Sequence, residues 1–230
     1  MTRHPSRTSA AEARWPAALG ILVALTLYTT LPGSFFPELR YVVLGLGILL
    51  LIPVLVFNPR RLNRQARWVR ILSISQALLL LLANQVALVQ LVVQLVTVPN
   101  SDGHPLLLAA LQVWVTNVIS FALIYWELDR GGPVARWLRA RDELPAADFR
   151  FPQDEDHDAV AEVARRSSVK SDWMPAFIDY LYFSLSNSMA FSPTDTMPLS
   201  SRAKALMGFE AFAGFVLLAL VISRAVGLLN

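Results

Sequence analysis

The sequence has no cysteine, so no disulfide, thiol nucleophile or thiolate metal site is available to it. Histidine is scarce too: His4, His104 and His157 are the full set, and none falls within a long apolar run. No nucleophile stands beside a base and no ligand spacing fits a metal, so no catalytic residue, metal or cofactor is expected, and the chain does not read as an enzyme. Charge is the third shortage. Only 16% of the 230 residues are charged and 55% are hydrophobic, whereas about a quarter of a soluble domain is charged. Long uncharged runs cause the deficit, which excludes a soluble globular domain and indicates a multi-span membrane protein with the lipid bilayer as its partner. The net charge is only +3, and no nucleic-acid partner is expected.

A helix crosses a bilayer with about 20 residues at about 1.5 Å rise each. Five runs reach that length class: 15–31, 41–57, 71–98, 106–126 and 205–222. Pro53 is expected to kink the second. A sixth stretch, 173–191, is long enough but carries Asp179, Ser184, Ser186, Asn187 and Ser188. It reads as a short polar span or a re-entrant helix. Counting it as a span gives the expected fold: an all-α polytopic bundle of six transmembrane helices.

Arginines orient the chain. Arg3, Arg7 and Arg14 precede the first run, Arg60, Arg61, Arg64, Arg67 and Arg70 fill the second link, and Arg130, Arg136, Arg139 and Arg141 follow the fourth run. The alternate loops hold only Arg40, Arg202 and Lys204. Positive-inside then predicts a cell-membrane protein with both termini cytoplasmic. Trp15, Trp68, Trp126, Trp137 and Trp173 fall near the cytoplasmic ends, as an aromatic belt does. No small-x-small site follows the first run, so no cleaved signal peptide is expected. The chain divides into a cytoplasmic tail (1–14), a four-helix membrane region (15–130), a cytoplasmic polar loop (131–172) and a C-terminal membrane hairpin (173–230).

In the loop, Gly131-Gly132-Pro133 stops the fourth helix. Residues 134–141 read as a surface helix burying Trp137 and Leu138, with its arginines on headgroups. Asp154-Glu155-Asp156-His157-Asp158 lacks a fixed ligand spacing and reads as a solvated acidic linker. Within the runs, Gln76, Ala83, Ala87, Gln90 and Gln94 share one helix face, and Gln112, Thr116, Ser120 and Glu127 another. Small and amide side chains pack helices together in lipid, and bundle packing is the favoured reading. Asp179, Glu210 and Arg224 are costlier, since an ionised group at a helix centre costs about 2.5–3.5 kcal/mol. Asp179 and Arg224 both fall toward the cytoplasmic side and are candidates for an ion pair. Glu210 has no cation near it in sequence, and is a site candidate.

Between the last two apolar segments stands a polar knot, Ser192-Pro193-Thr194-Asp195-Thr196-Met197-Pro198. Irregular backbone at membrane depth survives only when protein or a water-filled cavity satisfies its hydrogen bonds. Ser192 as cap, Pro193 at the first position and the acid Asp195 at the third describe one helical turn. Pro198 followed by Ser200-Ser201 starts the next helix, with Ser200 or Ser201 as its cap. Ser192, Thr194 and Asp195 are therefore candidates for a polar site, with Pro193, Pro198 and Ser200 as structural residues.

Leu181-Tyr182-Phe183-Ser184, Asp195, Pro198 and Phe209-Glu210-Ala211-Phe212 have a further reading. Residues 182–226 resemble the pore helix, filter and inner helix of potassium-channel-like modules. Those run Y-F-S-F-V-T-L-T-T-V-G-Y-G-D-x-x-P and then L-E-A-L. The pattern also looks like that of uncharacterised bacterial multi-span membrane proteins with a D-Y/F-x-Y-x-S segment. The likeness covers about the last fifth of the chain. Ala190-Phe191-Ser192-Pro193-Thr194 replaces T-V-G-Y-G. A potassium filter coordinates its ion with backbone carbonyls, and glycine permits the alternating backbone hand. Pro193 fixes φ and restricts Ser192, so no potassium-selective filter is expected. A pore loop of that family also enters from outside, which conflicts with a cytoplasmic 131–172 loop; the charge asymmetry decides for six spans. The resemblance implies permeation of small ions through a homo-oligomer. The alternative is a non-transporting membrane component that binds partners through 131–172.

Overall fold

The computed structural model describes residues 11–32, 37–57, 66–97, 103–155, 160–189 and 195–227. The architecture is all-α. Five long helices are α1 (Trp15–Thr29), α2 (Pro37–Phe57), α3 (Arg67–Thr97), α4 (Gly103–Leu128) and, at the C-terminal end, α9 (Ser201–Gly227). Among the described residues, four helices (α2, α3, α4 and α9) are long and apolar enough to cross a membrane, and α1 is a shorter apolar helix. Pro53 sits inside α2 without ending it.

α4 is the hub, packing against α1, α3, α9 and the short helix α8 (Phe177–Ser188). Its Ala109, Ala110, Ser120 and Ala122 are buried and let neighbouring backbones approach. The α3–α4 seam also uses amides: Asn84 Nδ2 and Gln85 Nε2 each donate to Asn117 Oδ1 at 3.0 Å. Gln112 Nε2 donates to Thr30 Oγ1 at 2.9 Å, tying α4 to the end of α1. Gln76 is buried, while Gln90 and Gln94 are half-buried.

After α4 the chain reverses through Arg130, Gly131 and Gly132, all at positive φ (51°, 81° and 94°). The left-handed region suits the two glycines. The segment that follows is knit into a cap. Its short helices are α5 (Pro133–Leu138), α6 (Ala161–Ala164) and α7 (Ser168–Ser171), and its strand is β1 (Phe149–Arg150). Arg136, expected on headgroups, is fully buried: its Nη1 donates to the carbonyls of Trp126 (2.7 Å) and Asp129 (2.8 Å), and its guanidinium lies 5.0 Å from the Tyr180 ring centre. Leu138, expected to be buried, is exposed. The acidic run is likewise not free: Asp154 takes Arg130 Nη2 at 2.5 Å and Ser168 Oγ at 2.7 Å, and Glu155 pairs with Arg150 at 2.8 Å. Asp156, His157 and Asp158 lie outside the described residues.

The main departure from the six-span expectation is at 173–191. The helix there, α8 (Phe177–Ser188), has 12 residues, a length of about 18 Å. That falls short of a hydrocarbon core of about 30 Å. α8 starts beside the end of α4, where Tyr180 Oη donates to Asp129 Oδ2 at 2.6 Å, and runs back along α4 until Ser184 Oγ meets the Val118 carbonyl at 2.8 Å. The chain then returns to the end it came from. Strand β2 (Met197–Pro198) pairs antiparallel with β1, Phe149 opposite Pro198 and Arg150 opposite Met197. Leu199 N donates to the Asp148 carbonyl at 2.8 Å. Ser200 and Arg202 close the clasp on the Asp148 carboxylate. The cap and the start of α9 therefore share one end of the bundle, and 173–200 enters and leaves there.

Candidate functional site

The short helix α8 buries a polar stripe against two long neighbours. Ser184, at 0% exposure, faces α4 and α9 together, and the half-buried Asn187 faces α9. Between them stands Glu210, also at 0% exposure and nine residues into α9, about 14 Å from its start. Tyr125 Oη reaches Glu210 Oε2 at 2.7 Å, and Asn187 Nδ2 reaches the same oxygen at 2.6 Å. Ser184 Oγ makes a short contact with Glu210 Oε1. Three helices thus converge on one carboxyl group through uncharged partners alone. Around it, Tyr125, Phe149 and Phe183 meet edge-on or tilted with ring centres 4.9–5.0 Å apart.

A glycine makes this approach possible. A Cβ on Gly214 would lie 2.4 Å from the Ser188 carbonyl oxygen. The tip of α8 therefore rests directly on the α9 backbone. Below the tip lies an apolar groove of about 480 Å³, lined by Leu107, Ala110, Trp114, Met189, Leu217 and Val221. The polar stripe ends at Ser188, and α4 and α9 face each other below it through apolar side chains.

No family model, curated protein or solved structure matches this chain. The reading of the site consequently rests on its own geometry.

The candidates read from the sequence fall in three places. Glu210 is the centre of the site. Asp195 is exposed, near Pro198 of β2 and the clasp at Ser200, whose Oγ also accepts from Ala203 N at 3.2 Å as a helix cap. Ser192, Pro193 and Thr194 lie outside the described residues. Asp179 is elsewhere: its Oδ2 accepts from Ala176 N at 2.8 Å, capping α8. It is not paired with Arg224, which lies in the last turn of α9 at the other end of the bundle. The two are far apart because α8 starts at the cap end, where α9 also starts, and α9 runs away from it. Tyr125, Asn187 and Gly214 are the residues that pattern reading missed. Tyr125 looked like one more apolar-run aromatic, and Gly214 like a tolerated glycine. Only the fold shows what faces them.

A second polar cluster binds the N-terminal segment. Glu12 accepts from Phe177 N at 2.6 Å and from Trp126 Nε1 at 3.1 Å, so Trp126 is a buried donor and not a member of an interfacial belt. Beside it Arg14, Gln76 and Glu127 line an enclosed space of about 10 Å³, on the order of one water molecule. Burial holds the Glu12 carboxyl above its ordinary value of 4.5, opposed by the Arg136 charge and by the hydrogen bonds from Phe177 and Trp126. A raised carboxyl favours the folded state while protonated. Its stabilisation is full below about 4.5 and is lost as pH rises through the raised value. Glu12→Gln, which keeps an acceptor and removes the charge, is expected to leave thermal stability unchanged in acid and to raise it at neutral pH. An equal effect at both pH values would show that the Glu12 charge is not the cause.

Proposed function

We propose that the chain is an integral protein of the cell membrane whose re-entrant hairpin lines a permeation path for small ions, formed between copies. The observation that carries this is the return of the chain after α8: a short helix dips to mid-bundle, the chain comes back to its entry side, and a membrane-length helix follows. This order is that of a pore module, and it accords with the resemblance of residues 182–226. Glu210 is sealed and the space below α8 is apolar, so a path requires a second copy. Without the glycines of a potassium filter, and with Pro193 in their place, the path discriminates poorly between potassium and sodium.

The topology that goes with this reading has five crossings (α1 to α4 and α9) rather than six. Arg202 and Lys204 then join Arg14, Arg67, Arg70, Arg130, Arg136, Arg139 and Arg141 on one side, and Arg40 and Arg224 stand opposite. Charge asymmetry is sharper than in the six-span arrangement, and puts that side in the cytoplasm. The N-terminus is then cytoplasmic and the C-terminus is on the far side.

Because the chain lacks cysteine, single cysteines report topology cleanly. Val169→Cys and Leu199→Cys, both at exposed positions, are expected to label from the same side, and Ser101→Cys from the other. Labelling of Leu199→Cys together with Ser101→Cys would restore six spans. Function is tested by ion flux from liposomes holding the purified protein. Expected are cation flux with little potassium preference and altered flux in Asp195→Asn at unchanged stability, since acidic groups along a path act on permeating cations. Absence of flux for every ion tried would overturn permeation and leave the rival role, a membrane component that binds partners through the 131–172 cap.

A further inference from the structure

The geometry points to Glu210 as a proton-binding site: its carboxyl group carries a proton at neutral pH, and that proton latches the re-entrant helix to α4 and α9. The inference names a regulator for the permeation reading, but its first test does not depend on that reading.

The argument is a count of hydrogens. Ser184 Oγ lies at hydrogen-bond distance from two oxygens, the Val118 carbonyl at 2.8 Å and Glu210 Oε1 at short range. Each of these oxygen–oxygen contacts needs a hydrogen between its atoms, because two bare oxygens so close repel. A serine hydroxyl has one hydrogen, and a carbonyl has none. A protonated Glu210 supplies the second hydrogen. Ser184 then donates to Val118 O, and Glu210 Oε1 donates to Ser184 Oγ. The other carboxyl oxygen, Oε2, is already served as an acceptor. Tyr125 gives it the phenolic hydrogen at 2.7 Å, and Asn187 gives it one amide hydrogen at 2.6 Å, sending the other to the Met207 carbonyl at 3.0 Å. With the proton in place every donor has an acceptor.

The surroundings agree. α4 presents the Tyr125 phenol, α8 presents the neutral Ser184 and Asn187, and Phe149 closes the site from the cap. Among the described residues no lysine, arginine or histidine pairs with this carboxyl group. An unpaired ion at this depth is costly, whereas a neutral carboxylic acid that donates once and accepts twice is not. Removal of the proton leaves Ser184 with one hydrogen for two acceptors and places between three helices a charge that Tyr125 and Asn187 meet but no cation balances. The direct remedy is for α8 to move away from α4 and let water reach the carboxylate. The latch thus closes on protonation and opens on deprotonation.

Infrared spectroscopy of the purified protein at neutral pH tests the proton. The expected result is a carbonyl stretch of a protonated, hydrogen-bonded carboxyl group that disappears in Glu210→Gln and persists in Glu12→Gln and Asp179→Asn. Glu210→Gln is expected to fold, because its amide also donates once toward Ser184 and accepts from Tyr125 and Asn187. An unchanged carbonyl region in Glu210→Gln would show that Glu210 is ionised and would overturn the proposal. The latch is tested with Ser188→Cys as a single thiol reporter at the buried tip of α8. Water-soluble maleimide is expected to label it several-fold faster as pH rises with Glu210 present, after correction by the same reporter in the Glu210→Gln background, which stays protected. Equal pH dependence in the two backgrounds would refute the latch. Flux measurements are separate: their failure removes permeation and leaves the proton site standing.

Discussion

Replacement of Gly214 by alanine is expected to destabilise the protein markedly, by about 1–3 kcal/mol, the usual cost of overpacking a filled interior. The added Cβ would stand 2.4 Å from a backbone oxygen, that of Ser188. Such an atom cannot swing away as the end of a side chain can, so α8 must shift as a body. The shift draws Ser184 and Asn187 off Glu210, and the damage spreads from packing to the polar network. Gly208 on the same helix is the control. Nothing lies within 4 Å of its would-be Cβ, and alanine there is expected to be neutral or to stabilise by about 0.5–1 kcal/mol through helix propensity. Thermal unfolding of both variants in detergent checks the pair. Equal melting temperatures would mean that α8 does not rest on α9 as described.

Asp129→Ala is expected to have a still larger effect. Asp129 is fully buried and one carboxylate serves three elements: Oδ1 accepts from Asp148 N at 2.7 Å, Oδ2 accepts from Tyr180 Oη at 2.6 Å, and Arg130 stands 3.8 Å away. Truncation leaves a buried hydroxyl and a buried amide without their acceptor and takes one of two carboxylates away from Arg130, which keeps Asp154. Breaking such a buried arrangement from one side costs about 3–5 kcal/mol. Glu155→Ala is the comparison. Its pair with Arg150 is about two-fifths exposed, and surface pairs of that kind contribute under about 1 kcal/mol. Losses of similar size in the two variants would remove Asp129 from its place as the anchor of the cap.

Hydropathy carried most of the architecture. The long runs become α2, α3, α4 and α9 at nearly the positions read from the sequence, because in lipid length and apolarity alone decide such helices. The polarity of 173–191 was equally legible, and it flagged the one segment that departs from the rule. What the sequence could not tell was where that segment goes. Its direction depends on Asp148, which sits in an unremarkable loop and gains meaning only when Ser200 and Arg202 close on it. The pairing of Arg202 with Asp148 was hidden for the same reason: a two-residue β-ladder leaves no periodic signal. Glu210 was conspicuous as a lone acid in an apolar run. Its partners were not, since Tyr125, Ser184 and Asn187 are 85, 26 and 23 residues away from it in sequence. Arg136 misled through its type. Arginines near a membrane surface ordinarily reach for headgroups, whereas this one closes the end of α4 by binding its last carbonyls.

The short length of α8 bears on how the protein is made. Membrane helices are inserted one by one as they emerge, and each must be apolar enough to leave the translocation machinery for lipid unaided. α8, with 12 residues and Asp179, Ser184, Ser186, Asn187 and Ser188 in or beside its apolar face, does not meet that condition. Its hydrogen-bond partners on α9 do not yet exist when it is synthesised. On the proposed membrane reading it is expected to stay at the membrane surface, tied to Asp129 and Glu12, until the segment from Ser201 onward has crossed. On the same reading Glu210 is expected to arrive last to receive Ser184 and Asn187, and the hairpin to be drawn inward at that point. A chain truncated before Ser201 should show this directly: a cysteine at Ser184 would remain open to water-soluble reagents there and become protected in the full-length protein.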